Sequence, residues 1–428
     1  MGDASNRPLA RSAGLVLAGI VLLLVGIFES GTAIAKDDFG YLMWGLLTRG
    51  DLLAWVDGPN WFTYRRPLNA LAWWLSAQTG IDAELVRWSQ VGLWALFGAA
   101  LLLTTRHSRR GLITVVLLLL TNQVFVDLLH WRSWITTTGT LAFLALSALA
   151  MERRSPALTV ALLGTLALGF KEVGAVAVAI MALSRPGYRL VGAVLVAGLC
   201  VGSLSSAHKL GFHFLMDNVR FHTETVALFA PVVPVLIAAR FPKLPAWTLL
   251  LCAGMVVLPA PVVAVAVVGA SLLFLLEEAR WLPAAAVAFG LPFVGAYHAR
   301  QYLLESWAVV LLALATAKRF SVPTTAWLAM VVLAAPSAVD FERNRAKLRE
   351  EFASQRAFLR DFKPPPARYL YHPDIVWSWD LDALTWVQGG ATLQGQPPPG
   401  ARPAQTGPLS GVWADLEPAS EPTGEPAP

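Results

Sequence analysis

Two adjacent carboxylates, Asp37 and Asp38, stand in "KDDFGYLMWG", directly after the apolar run "GLVLAGIVLLLVGIFES". One aspartate suffices to cap a short interfacial helix beginning near Phe39, an effect worth about 1 kcal/mol. A second leaves a carboxylate to act as a general base or to hold an acceptor hydroxyl. Capping and chemistry both remain open on these residues alone. Lys36 can pair with Asp37 and keep it structural, which favours Asp38 for the chemical role.

Three further groups carry charge next to apolar runs. Tyr64, Arg65 and Arg66 precede Pro67 in "WFTYRRPLNALAWW", where proline suits the first turn of a helix. Arginine matches phosphate or carboxylate with a two-pronged hydrogen bond, so a phosphate or an acidic partner fits this pair. His130 and Arg132 open an apolar run in "LLHWRSW", and Lys171 with Glu172 separates two such runs in "FKEVG". Adjacent opposite charges at a turn also serve simply to neutralise each other. The stretch "HKLGFHFLMDNVRFHTE" adds His208, His213 and His222. Their spacing is not that of a metal site, so free, outward-facing histidines are expected and no metal ligand is assigned. Cys200 and Cys252 both fall inside apolar runs, which excludes a disulfide framework.

The elements that must position these groups are membrane spans. The chain has 428 residues, 56% apolar and only 14% Asp, Glu, Lys and Arg, against roughly 25% charged in an ordinary soluble domain. Apolar runs give about thirteen candidate spans, at 13–30, 86–105, 111–127, 133–151, 156–170, 172–184, 189–206, 224–239, 245–258, 260–276, 281–297, 301–317 and 322–335. Several are short, and 156–170 with 172–184 reads equally as a broken or re-entrant pair. The first run is long enough to be kept as an anchor rather than cleaved as a signal peptide. With a cytoplasmic N-terminus, every inside connector is basic: Arg7/Arg11, Arg106/Arg109/Arg110, Arg153/Arg154, Arg185/Arg189, Arg240/Lys243, Arg280 and Lys318/Arg319. That is the positive-inside pattern, and it explains the net charge of +5 without nucleic acid. All four charged groups then face outward, as does the chain beyond Asp340. The expected organisation is an all-α polytopic membrane domain over 1–338, with about 11–13 spans and a large outer loop at 31–85. A helical and aromatic extracytoplasmic segment follows at 339–394, with Phe341, Leu348, Phe352 and Leu359 on one side of a helix. A disordered Pro/Gly/Ser/Ala-rich tail occupies 395–428.

In order, side and rough spacing, the acidic pair Asp37-Asp38-Phe39, "YRRPL" at Tyr64 to Leu68, the "HWR" at His130 to Arg132 and the Lys171-Glu172 pair resemble the GT-C superfamily of membrane glycosyltransferases. The likeness is to the protein O-mannosyltransferase-like branch and covers residues 1–185. That branch carries a single arginine in "YRPL", so whether Arg65 or Arg66 corresponds is open. It often has histidines on the next span, whereas "ELVRWSQVGLWAL" has none, and its acidic residue near the arginine motif is at best Asp127. The resemblance implies transfer of a sugar from a polyprenyl-phosphate donor to an acceptor hydroxyl at the outer face of a bacterial inner membrane, with inversion. Asp38 or Asp37 would be the base. Arg65, Arg66, Tyr64, His130, Arg132, Lys171 and Glu172 would hold the lipid phosphate and donor. It requires no cofactor, although a divalent Mg or Mn ion is compatible with the phosphate role, and it leaves the glycan, lipid or protein acceptor unnamed. Two alternatives are a non-catalytic envelope scaffold that binds a protein partner through the C-terminal segment, and a lipid or polysaccharide transporter. The transporter would need ionisable groups at mid-membrane and matched halves.

Overall fold

Long apolar stretches leave the backbone no partner but itself, and the chain is accordingly helical. The computed structural model describes residues 7–30, 38, 41, 66–79, 84–105, 109–203, 215–294, 300–317, 322–361, 402–403 and 414–415. The helices in chain order are α1 (Arg7–Glu29), α2 (Pro67–Thr79), α3 (Glu84–Thr104), α4 (Arg109–Thr121) and α5 (Gln123–Asp127). A 3₁₀ turn, Arg132–Trp134, leads into α6 (Ile135–Glu152), followed by α7 (Ala157–Phe170), α8 (Glu172–Leu183) and α9 (Arg189–Ser203). Next come α10 (Leu215–Ala227), α11 (Val233–Arg240), a 3₁₀ helix (Ala246–Val257), α12 (Ala260–Glu277) and α13 (Leu282–Val294). The last two are α14 (Leu304–Thr316) and α15 (Thr324–Asp361). In the tail, Arg402–Pro403 pairs antiparallel with Ala414–Asp415.

The core forms around α14, whose residues are all buried. A helix apolar all round must be enclosed on every side, and α3, α6, α8 and α13 pack against it. Its Trp307 stacks on Phe229 at 4.1 Å and meets the edge of Phe289 at 5.2 Å. The outer helices show the opposite pattern. Leu17, Leu24 and Phe28 of α1 and Val262, Val265 and Leu276 of α12 are exposed, an apolar exterior suited to lipid rather than water.

Among the described residues, four helices are long and apolar enough to cross a membrane: Ser12–Glu29, Glu84–Thr104, Arg132–Glu152 and Ala260–Glu277. A fifth is added if Leu215–Ala227 and Ala230–Arg240, bent by 53°, form one span. Eight shorter apolar helices of 10–17 residues accompany them. The architecture is all-helical and compatible with a helical membrane protein, with fewer full-length spans among the described residues than the eleven to thirteen expected. The reason is length: a 13-residue helix rises only about 20 Å, against an apolar bilayer core of about 30 Å.

The pair α7 and α8 forms an antiparallel helical hairpin. Lys171 between them is extended (φ −165°, ψ 140°), and the Tyr188 hydroxyl beyond α8 donates to the Ser155 carbonyl before α7 at 2.7 Å. Close packing of α8 on α6 requires Gly174, since a Cβ there would lie 1.9 Å from Thr140 Cγ2.

Side-chain pairs sort the connectors to two ends of the bundle. At one end Glu152 of α6 accepts from Arg185 at 2.8 Å and from Arg280 at 2.9 Å, while Arg240 pairs with Glu277 at 3.4 Å. These are the basic connectors expected on one side. At the other end lie the termini that carry Glu29, Arg66, Glu84, His130, Lys171 and Glu305. The helix α15 continues past the end of the apolar run, through position 339 to Asp361. At 1.5 Å per residue its 38 residues extend about 57 Å.

Candidate functional site

Several helices start at the second end, and four of the starts are marked by a carboxylate. Glu84, Glu172 and Glu305 sit in the first turns of α3, α8 and α14, where the helix dipole favours negative charge. Asp38 serves the fourth start from outside the helix, its Oδ1 accepting from the Ser133 amide at 2.7 Å in the 3₁₀ turn that opens α6. Asp38 is fully buried. The capping role weighed for the acidic pair is therefore real, but the helix capped is a distant one.

Each first-turn carboxylate holds a cation from another part of the chain. Arg132 donates to Glu84 at 3.3 Å, Arg66 to Glu172 at 3.2 Å, and Lys171 to Glu305 at 2.5 Å. Lys171 Nζ also donates to the Thr137 hydroxyl at 3.3 Å and lies 4.5 Å from the centre of the Tyr302 ring. Thr137 in turn donates to Gln301 at 3.2 Å. The quartet of Arg66, Glu172, Lys171 and Glu305 interacts as one group, with Lys171 in electrostatic reach of Arg66 and Glu172, and Glu305 of Arg66. Tyr41, three residues on from Asp38 in sequence, stacks on Trp73 at 5.4 Å and also acts on the Arg66 charge. Burial works against the Arg66 cation, but Glu172 and the nearby tyrosines outweigh it and hold its pKa above the ordinary arginine value. Arg66 is therefore permanently charged.

A histidine bridges the remaining side. His130 Nε2 lies 2.8 Å from Glu29 at the end of α1, and Nδ1 lies 3.5 Å from Asp127 at the end of α5. Burial alone would push its pKa down; the hydrogen bonds to Asp127 and Glu29 prevail and raise it above the usual imidazole value. Gln90 of α3 donates to the carbonyls of Leu128 and Trp131, the latter at 2.8 Å, and so fixes the loop between His130 and Arg132.

Of the sequence-derived candidates, Asp38, Arg66, His130, Arg132, Lys171 and Glu172 all gather here, while Asp37, Tyr64 and Arg65 lie outside the described residues. Sequence reasoning missed Glu29, Glu84 and Glu305. A lone glutamate opening the apolar run "ESWAVVLLALAT" was the available signal, because an unneeded charge at membrane depth is costly. His222 corrects another expectation. It is not an outward-facing loop histidine but a buried one on α10, set edge-on between Phe221 at 5.2 Å and Phe293 at 5.3 Å. The connector expected between the runs 189–206 and 224–239 is helical from Leu215 onward. His208 and His213 lie outside the described residues. Among the described residues, no group of three or more His, Cys, Asp or Glu side chains is placed to hold a metal ion.

No protein-family model, no curated protein and no solved structure matches this chain, so its family rests on no comparison.

Proposed function

We propose that the protein transfers a sugar from a polyprenyl-phosphate-linked donor to an acceptor hydroxyl at the outer face of a bacterial plasma membrane, on a GT-C-like fold. The observation that supports this is the meeting of Asp38, Arg66, Arg132 and Lys171, from four separate parts of the chain, at one charged end of an apolar helical bundle. Asp38 takes the proton of the acceptor hydroxyl as its oxygen attacks the anomeric carbon. The bond to the polyprenyl phosphate breaks on the opposite face, which inverts the configuration. Arg66 and Lys171 stabilise the negative charge that grows on the departing phosphate. Helix starts pointing at the same end favour the same anion. The basic connectors then lie on the cytoplasmic side, as positive-inside orientation requires. A divalent ion is compatible with the phosphate role, and none is required.

A second reading, a membrane scaffold that performs no chemistry, is favoured by a specific feature. Asp38 caps a helix, and Arg66, Arg132 and Lys171 are all ion-paired, as purely structural groups would be. The C-terminal helix, longer than a bilayer, would offer its polar half to an envelope partner.

The deciding assay uses protein in lipid nanodiscs, a radiolabelled hexose on a short polyprenyl phosphate, and detection of released polyprenyl phosphate. Wild type should release it and Asp38→Asn should not, with both equally folded, since asparagine keeps an oxygen for the Ser133 amide. Equal release by both, at the rate of empty nanodiscs, refutes the enzyme and leaves the scaffold.

A further inference from the structure

The opposite end of the bundle holds arginines of another kind. Glu152 engages Arg185 and Arg280, but Arg153, Arg154 and Arg189 are exposed and have no ion pair among the described residues. They occupy two turns, α6 to α7 and α8 to α9, which the Tyr188–Ser155 hydrogen bond of 2.7 Å ties together. The amides of Arg153, Arg154 and Ser155 are already used on the carbonyls of Leu149, Met151 and Ala150. The guanidinium groups there are not engaged in this way. Arg154 has φ 55°, a left-handed backbone that glycine adopts more comfortably, so the position keeps a side chain against its backbone preference.

The helices that continue from these turns, α7 and α9, touch closely: a Cβ at Gly164 would meet Leu195 Cδ1 at 2.6 Å. Both helices also expose large aliphatic side chains, Leu158 and Leu162 on α7 and Leu190 and Val194 on α9, the most open being Leu190 at 79%. Cationic turns thus adjoin helices with exposed aliphatic surface. We propose that this turn pair binds the headgroup of an anionic phospholipid. Arg153, Arg154 and Arg189 hold the phosphate through guanidinium hydrogen bonds, and the acyl chains lie on α7 and α9. Basic clusters between helices at the membrane surface recognise anionic lipids in this way. The site is independent of the charged end that carries the proposed transfer chemistry.

Native mass spectrometry of the purified full chain, titrated with phosphatidylglycerol or phosphatidylcholine, tests it. Wild type should prefer phosphatidylglycerol. The variant Arg153→Gln/Arg154→Gln/Arg189→Gln should lose on the order of 100-fold of that preference, from the contribution of three basic residues near the surface. A control lacking the same number of charges elsewhere, Arg110→Gln/Arg220→Gln/Lys243→Gln, should keep it. Arg154→Gly, which suits the backbone and so folds, should lower the preference on its own. No preference in wild type, retention in the triple variant or in Arg154→Gly, or equal loss in the control overturns the proposal. Displacement of the lipid by millimolar inorganic phosphate would identify a free-phosphate site and overturn it equally.

Discussion

Replacing Glu305 by glutamine changes one atom of a side chain in a fully enclosed ion pair. Lys171 then keeps the Thr137 hydroxyl and the Tyr302 ring but loses its anion. Both side chains are withdrawn from solvent, at 2% and 0% exposure, so water neither screens the pair nor rehydrates the stranded ammonium. Breaking a buried pair by removing one partner costs about 3–5 kcal/mol. At roughly 2 °C per kcal/mol, the lower end for larger domains, the apparent Tm should fall by about 6–10 °C. Lys171→Met should fall by a similar amount, because it strands Glu305 instead. The double variant Lys171→Met/Glu305→Leu removes both charges and should lie near wild type, since an apolar replacement of a whole buried pair is often neutral. The cycle therefore predicts a coupling of at least about 6 kcal/mol. The assay is tryptophan fluorescence on heating, at one scan rate and one detergent concentration. A double variant as unstable as the sum of the singles, or a single variant within about 1 °C of wild type, which is well below what 1 kcal/mol would move, refutes the pair as the coupling element.

Other outcomes follow from the same geometry. His130 has a raised pKa, so its contribution to stability is present in full below about pH 6.5 and is lost as pH rises through the higher folded value; Tm measured from acid to alkaline pH should show this loss in wild type and not in His130→Gln. Gly174→Ala should destabilise by about 1–3 kcal/mol through overpacking, and Thr140→Ser, which removes the Cγ2 that a Cβ would meet at 1.9 Å, should restore most of the lost Tm. Under the transferase reading, Arg66→Ala should slow transfer per folded molecule by roughly 100- to 1000-fold, with only partial rescue by lysine, which lacks the planar fork; wild-type rates in both variants would remove Arg66 from the mechanism. A cysteine at position 360 should label from outside intact cells, and protection until lysis would reverse the proposed orientation.

Apolar helices, several of them long enough to span a membrane, were legible in the composition and apolar runs. The alternation of basic connectors was legible too, and the ion pairs of Glu152 and Glu277 bring several of them to one end. Charged residues at the boundaries of apolar runs, Asp38, Arg66, His130, Arg132, Lys171 and Glu172, announced themselves by type and position, since charge beside an apolar segment is costly unless something uses it. Their partners did not. Nothing local links Lys171 to Glu305, Arg66 to Glu172 or His130 to Glu29, which are separated by 134, 106 and 101 residues. Those pairings depend on which helix ends share a face of the bundle. Helix length was likewise undetermined, because an apolar run marks where a helix can form and not where tertiary contacts break it, as at the extended Lys171. His222 shows the same limit from the other side: its polar surroundings in sequence suggested solvent, and only the approach of α13 encloses it against Phe293. Local chemistry is written in neighbouring residues, whereas the pairing of buried charges is set by packing between segments distant in the chain.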